Sequence, residues 1–273
     1  SASPTWVSLP SGAYLSSTVV SARIVVQDPL SGLMASTGIP TGLVGQWHLD
    51  ESSGSMALDA STYGSVGNFI AAPSWVPGKR GSALSFNGAD QSVAVAYRPS
   101  LDLVDDFTVA AWINTTSSVL GDFVVNSPCA GSSLGYILGL NSAGSGSVRF
   151  WTNSANKDFI GTGVNDGQWH HLAVTQAGGR AALFVDGRLF GSQPSAPANS
   201  TTNPTSIGSC SNTGEYFAGQ VDEVRLYRVA RSSAEILADY QSDTLAAHSR
   251  SAAYAVMYST NAGASWSFVS KKM

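Results

Sequence analysis

Only four glutamates occur in the chain, Glu51, Glu215, Glu223 and Glu235, and none is followed by an acidic residue two positions on. Hydrolysis of a glycosidic bond needs two carboxyl groups flanking it, about 5–5.5 Å apart for retention or about 6.5–9.5 Å for inversion. A strand offers such a pair at i and i+2, where side chains share a face, whereas neighbours such as Asp222 and Glu223 point to opposite faces. His170 and His171 invite general-base or zinc chemistry. They too are adjacent, and only His48 and His248 remain to complete a site. No catalytic residue is expected.

The elements that must carry any other site read as strands. Apolar or alternating runs at 18–26, 43–49, 82–86, 92–96, 107–113, 122–125, 136–140, 147–152, 170–175, 181–185 and 219–227 are separated by Gly, Pro, Asn and Asp. Gly178-Gly179 and Asp186-Gly187 supply the positive φ of hairpin turns and define a three-strand meander over 170–191. Ser232-Ser233-Ala234-Glu235 is a capping box that opens a helix of about two turns carrying Ile236, Leu237 and Tyr240. Many strands and one late helix imply an all-β sandwich.

Charged residues make up 12% of the 273 and the net charge is −4. An ordinary domain is about 25% charged. Nucleic acid and anionic lipid are therefore not expected partners. No apolar run approaches the roughly 20 residues of a membrane helix, so no membrane insertion is expected. Ser1 to Thr5 lack a basic or apolar leader segment, and an expected signal peptide would already have been removed. Cys129 and Cys210 lie in Ser/Gly-rich turns and are either two unrelated buried thiols or a disulfide. The Ser/Thr/Asn-rich, weakly charged composition favours a disulfide in an extracellular or cell-surface protein, worth roughly 4 kcal/mol in the chain-entropy model. Asn114-Thr115-Thr116 and Asn199-Ser200-Thr201 are glycosylation sequons, a pattern too common to assign a source.

Residues 43–241 resemble the laminin-G-like jelly rolls of the concanavalin A-like lectin/glucanase superfamily. The resemblance rests on ordered landmarks: Leu43-Val44-Gly45-Gln46-Trp47-His48-Leu49-Asp50-Glu51, Leu58-Asp59-Ala60-Ser61, Gly81-Ser82-Ala83-Leu84-Ser85-Phe86-Asn87-Gly88 and Phe107-Thr108-Val109-Ala110-Ala111-Trp112-Ile113. Trp169-His170-His171-Leu172-Ala173-Val174, Leu183-Phe184-Val185-Asp186-Gly187 and Gly219-Gln220-Val221-Asp222-Glu223-Val224-Arg225-Leu226-Tyr227 follow. Catalytic jelly rolls of that superfamily carry Glu-x-Asp-x-(x)-Glu on one strand, and this chain lacks it. The resemblance implies a structural calcium ion at Asp59, Asn87 and Asp222. The loop Ser61-Thr62-Tyr63-Gly64 departs from the family's Ser-Gly-Asn-Gly. Tyr136, Trp151, Asn153 and Asn156 are the candidate sugar contacts, pairing aromatic platforms with planar amides.

The flanks 19–33 and 253–266 are similar to two halves of a small extracellular immunoglobulin-like module. The expected division is 43–242 as the jelly roll and 1–42 plus 243–273 as a discontinuous module, either truncated or completed by a neighbouring chain. Residues 259–266 also resemble the Asp-box hairpin of sialidases, with Asn261 in place of its acid. The reading that follows is a secreted, non-catalytic adhesion module for a glycan or cell-surface polymer, stabilised by calcium. The alternatives are a filament or surface-layer subunit self-assembling through open sheet edges, residues 6–20 being a donated strand, and last a glycoside hydrolase.

Overall fold

A computed structural model describes residues 40–129, 132–143, 146–153, 155–210 and 214–246, and the backbone of three strands nearer the chain ends. Its strands are β1 (Ser21–Val25), β2 (Leu43–Trp47), β3 (Met56–Ala57), β4 (Gly67–Ile70), β5 (Ser74–Pro77), β6 (Ser82–Asn87), β7 (Ser92–Val95), β8 (Phe107–Asn114), β9 (Gly121–Asn126) and β10 (Tyr136–Leu140). There follow β11 (Val148–Thr152), β12 (Ala155–Phe159), β13 (Trp169–Ala177), β14 (Arg180–Val185), β15 (Arg188–Pro194), β16 (Thr205–Ile207), β17 (Ala218–Tyr227), the helix α1 (Ser233–Ala246), β18 (Ala255–Ser259) and β19 (Ser267–Phe268). The chain divides into two compact units, Gly38–Ala247 and the pair of ends Ser1–Thr37 with His248–Met273.

Two antiparallel sheets build the larger unit, a β-sandwich with the layout the resemblance implies. The first runs β12-β11-β10-β9-β16-β7-β4-β3, and the second β15-β14-β13-β8-β17-β6-β5, with β2 also on β17. Strand alternation decides what lies between them. Phe107, Ile113, Phe123, Leu138, Phe150, Leu172, Val174 and Phe217 turn inward and are almost wholly excluded from water. Gly178-Gly179 and Asp186-Gly187, all at positive φ, turn the meander β13-β14-β15.

The helix is longer than the capping box alone implies, 14 residues instead of two turns. Its start closes as the box requires, with Ser232 N donating to Glu235 at 2.8 Å and Glu235 N to Ser232 Oγ at 3.3 Å. Its extra turns are held by the outer face of the second sheet. Ile236 packs on Ala110, Ala173 and Phe184. Asp243 accepts from Trp112 Nε1 at 2.9 Å and from Arg225 at 2.6 and 2.7 Å. Tyr240 stacks on Trp112 with centroids 5.4 Å apart. Tertiary packing thus supplies what a short isolated helix lacks.

In the smaller unit β1 pairs antiparallel with β18, from Ser21 opposite Ser259 to Val25 opposite Ala255, and β19 follows β18. The two chain ends therefore share one sheet within a single chain. Three strands in that order define a sheet but not an immunoglobulin-like module. Residues 6–20, the turn at 28–33 and the segment 260–266 lie outside the described residues.

Candidate functional site

Register assigns the residues of the first sheet's outer face. Asn156 stands opposite Trp151, Trp151 opposite Ile137, Ile137 opposite Val125, and Val125 opposite Ser206. Directly opposed residues share a face, so these five form one row across the sheet. Two residues along, a second row runs Asp158, Arg149, Gly139 and Asp122.

The middle of this face is capped. Cys129 and Cys210 form the expected disulfide, with Cα atoms 5.9 Å apart and 81 residues between them in sequence. With Val125 and Ile137 they make a small apolar cluster on which Trp151 packs. Phe150 faces the core and Trp151 the outer side, half-buried, its Nε1 donating to Ser132 O at 3.1 Å. Around the indole lie amides. Asn153, at φ +48°, sits on the β11–β12 turn, and its Oδ1 accepts from Asn199 Nδ2 at 3.0 Å. Asn199 Nδ2 also donates to Ser133 O at 3.0 Å. Asn153, Asn156 and Asn199 are all exposed. Lys157 holds the turn from beneath, its buried ammonium donating to Thr152 O, Thr152 Oγ1 and Ala155 O at 3.1, 3.1 and 2.8 Å. Burial lowers its pKa.

An ion network underlies the second row. Arg149 binds Asp122 bidentately, at 2.7 to 3.0 Å, and also bonds Glu215. Gly139 makes this arrangement possible, because a Cβ there would fall 2.1 Å from Asp122 Oδ1. Burial pushes the Asp122 carboxyl up while the Arg149 guanidinium pulls it back.

Of the four residues expected to contact sugar, Trp151, Asn153 and Asn156 come together and Tyr136 does not. Tyr136 is fully buried between the sheets, its ring 5.4 Å from Phe107, so it belongs to the core. Asn199 joins the group unforeseen. Its only signal was a sequon, and its amide nitrogen is already engaged twice.

The residues expected to hold calcium do not form one ligand set. Asp59 accepts from Gln46 N, Ser61 N, Ser61 Oγ and Ser65 N at 2.7 to 2.9 Å, and so orders its own loop. It bridges Trp47, which pairs with Val224, so it lies two strand spacings from β17, roughly 9–10 Å. Asn87 is opposite Ala218, four residues along β17 from Asp222, or roughly 13 Å. The exposed Asn87 caps its turn through Ala89 N and Asp90 N. Among the described residues, the one close grouping of three metal-type side chains is Asp122, Cys210 and Glu215. There the sulfur is in the disulfide and both carboxylates are on Arg149.

At Asp222 the strand is not regular. A bulge lies between Asp222 and Arg225, and Glu223 takes φ +48°. Both acids are fully buried. Asp222 accepts from Arg80 N and Glu223 N, and burial raises its pKa to about 8. Glu223 accepts from Arg225 at 2.7 Å and lies 2.9 Å from His48 Nδ1. The other glutamates are likewise engaged: Glu51 caps Leu58 N, Glu215 binds Arg149 and Glu235 caps α1. The two adjacent histidines part. His170 lies between Asp186 at 2.9 Å and Asp166 at 3.2 Å, hydrogen bonds that raise its pKa. His171 is buried beneath α1.

Residues 87–237 match the family described as the concanavalin A-like lectin/glucanases superfamily, and the chain belongs to it. Among solved structures it is similar to the binding domain of Paraclostridial Mosquitocidal Protein 1, at 15% identity and TM-score 0.57, covering 74% of this chain and 52% of that one. It is also similar to domain 4 of AbnA, a GH43 extracellular arabinanase from Geobacillus stearothermophilus, in complex with arabinotriose. That similarity has 18% identity and TM-score 0.57, over 72% of this chain and 97% of the other. A third is the botulinum neurotoxin serotype G binding domain, at 12% identity and TM-score 0.56, over 73% and 50%. The chain thus spans about half the length of these toxin domains. At such identities the shared feature is the fold. No curated protein sequence matches the chain.

Proposed function

We propose that the protein is a secreted, non-catalytic carbohydrate-binding module that seats a glycan over Trp151, with Asn153 and Asn156 supplying hydrogen bonds and Asn199 offering only its amide oxygen as an acceptor. The observation that carries this reading is the half-buried indole rimmed by three exposed amides on the outer face of a jelly roll. An aromatic ring stacks on the apolar face of a sugar, and a planar amide matches vicinal hydroxyls with a donor and an acceptor. A disulfide suits an oxidising, extracellular compartment. The engagement of all four glutamates in structural bonds supports a binding role, as does the arabinotriose held by the arabinanase domain.

The test is a glycan array followed by calorimetry on wild type and Trp151→Ala. Loss of one stacking platform is expected to weaken binding at least about tenfold, the equivalent of 1.4 kcal/mol. Equal affinity in the two proteins, or no glycan bound by the wild type, would refute the proposal.

A further inference from the structure

We infer that this site, on the reading just given, selects uncharged glycans over sialylated, uronic or sulfated ones. Recognition of an anionic sugar uses a cation with free donors, or a group of unpaired backbone amides. Across 121–168 and 195–217, which supply the first sheet's outer face near Trp151 and its capping loops, the sequence holds two cations, Arg149 and Lys157. Arg149 is buried against Asp122 and Glu215, and so carries no net positive charge toward a ligand. Lys157 points to the other side of its strand and donates to three protein oxygens, which uses every N–H of its ammonium.

The same segments hold four carboxylates, of which Asp122 is buried on Arg149 and Asp166 bonds His170 of the second sheet, so Asp158 and Glu215 are the charges left beside the site, and they are negative. Asp158 stands directly opposite Arg149 on the outer row, and Glu215 keeps part of its carboxylate in solvent. The start of α1, the described helix, has its Glu235 amide taken by Ser232 Oγ and lies on the other sheet. Besides these carboxylates, what remains at the ligand face is amide, hydroxyl and indole. These are groups that recognise hydroxyl-rich, neutral sugars and add no attraction for a carboxylate or sulfate.

The experiment is calorimetry of the full chain with matched glycan pairs, each neutral oligosaccharide beside its sialylated, uronate or sulfated counterpart, at low and high salt. Wild type is expected to bind the neutral member, with the anionic partner at least about fivefold weaker at low salt. The gap should narrow at high salt and in Glu215→Gln. Tighter binding of the anionic members, lost in Trp151→Ala and weakened by salt, would overturn this inference and leave the glycan-binding site standing. Failure of both classes to bind, or binding indifferent to Trp151→Ala, would overturn both.

Discussion

Acidification should weaken this fold, and His171 carries a separable part of the effect. It is wholly buried, and neither ring nitrogen has a hydrogen-bond partner among the described residues. Its ring lies 5.4 Å from Trp112 and 6.2 Å from Tyr240, sealed under α1. Burial, seconded by the positive Arg225, lowers its pKa from 6.5 to about 4, against the opposing pull of Asp243 and Asp186. Glu223 and Asp243 are themselves bound to Arg225, so no free counter-charge waits for an imidazolium. The unfolded chain takes up its proton near pH 6.5 and the folded one only near pH 4. Stability linked to this group is therefore full above pH 6.5 and lost as pH falls from there to about 4. A gap of some 2.5 pH units corresponds to about 3 kcal/mol. The assay is urea unfolding of wild type and His171→Phe at pH 7, 5.5 and 4. The variant keeps an aromatic ring and removes the proton site, so contributions from Asp122 and Asp222 cancel in the difference. His171→Phe should gain about 3 kcal/mol on wild type between pH 7 and pH 4. A constant difference across that range would refute the reasoning.

Other perturbations follow from the same contacts. Replacing Cys129 and Cys210 by Ser should cost up to about 4 kcal/mol, read as a lower urea midpoint that added reductant no longer changes. Gly139→Ala drives a methyl into the Asp122 carboxylate and should cost about 2–3 kcal/mol, while Gly178→Ala, whose Cβ meets nothing within 4 Å, costs only the strain of its positive φ. Asp59→Ala leaves Gln46 N, Ser61 N and Ser65 N without their acceptor and should cost about 3 kcal/mol. The loss should be equal in calcium and in EDTA, and a loss seen only in calcium would mean that Asp59 is a ligand.

The fold was legible because its signals are local and periodic. Strand runs, Gly178-Gly179, Asp186-Gly187 and the capping box each act over a few residues. The length of α1 was not legible, because Arg225 and Trp112 hold Asp243 across separations of 18 and 131 residues. Tyr136 misled for a related reason. An aromatic residue at a strand end reads equally as core or platform, and only the partner strand decides. Trp151 was locatable by alternation against Phe150. Asn199 was not, since it reaches Asn153 from a loop 46 residues away.

Arg149 carries the deeper lesson. It stands on β11, two residues from Trp151. Its neighbour across the sheet is Gly139, and a glycine inside a strand marks a close approach by something else. What approaches is Asp122, and it neutralises the arginine from within. The same happens at Arg225 with Glu223 and Asp243, and at Arg231 with Asp239. A chain that is only 12% charged thus turns several of its charges inward, where pairing offsets their burial. Its outer surface near Trp151 is left to Asn, Ser, Thr and Gly, with Asp158 and Glu215 as its charges. Sparse charge is therefore more than a statement about solubility or excluded partners. On the proposed reading it sets the chemistry available for recognition, which is the exchange of neutral hydrogen bonds beside an aromatic ring.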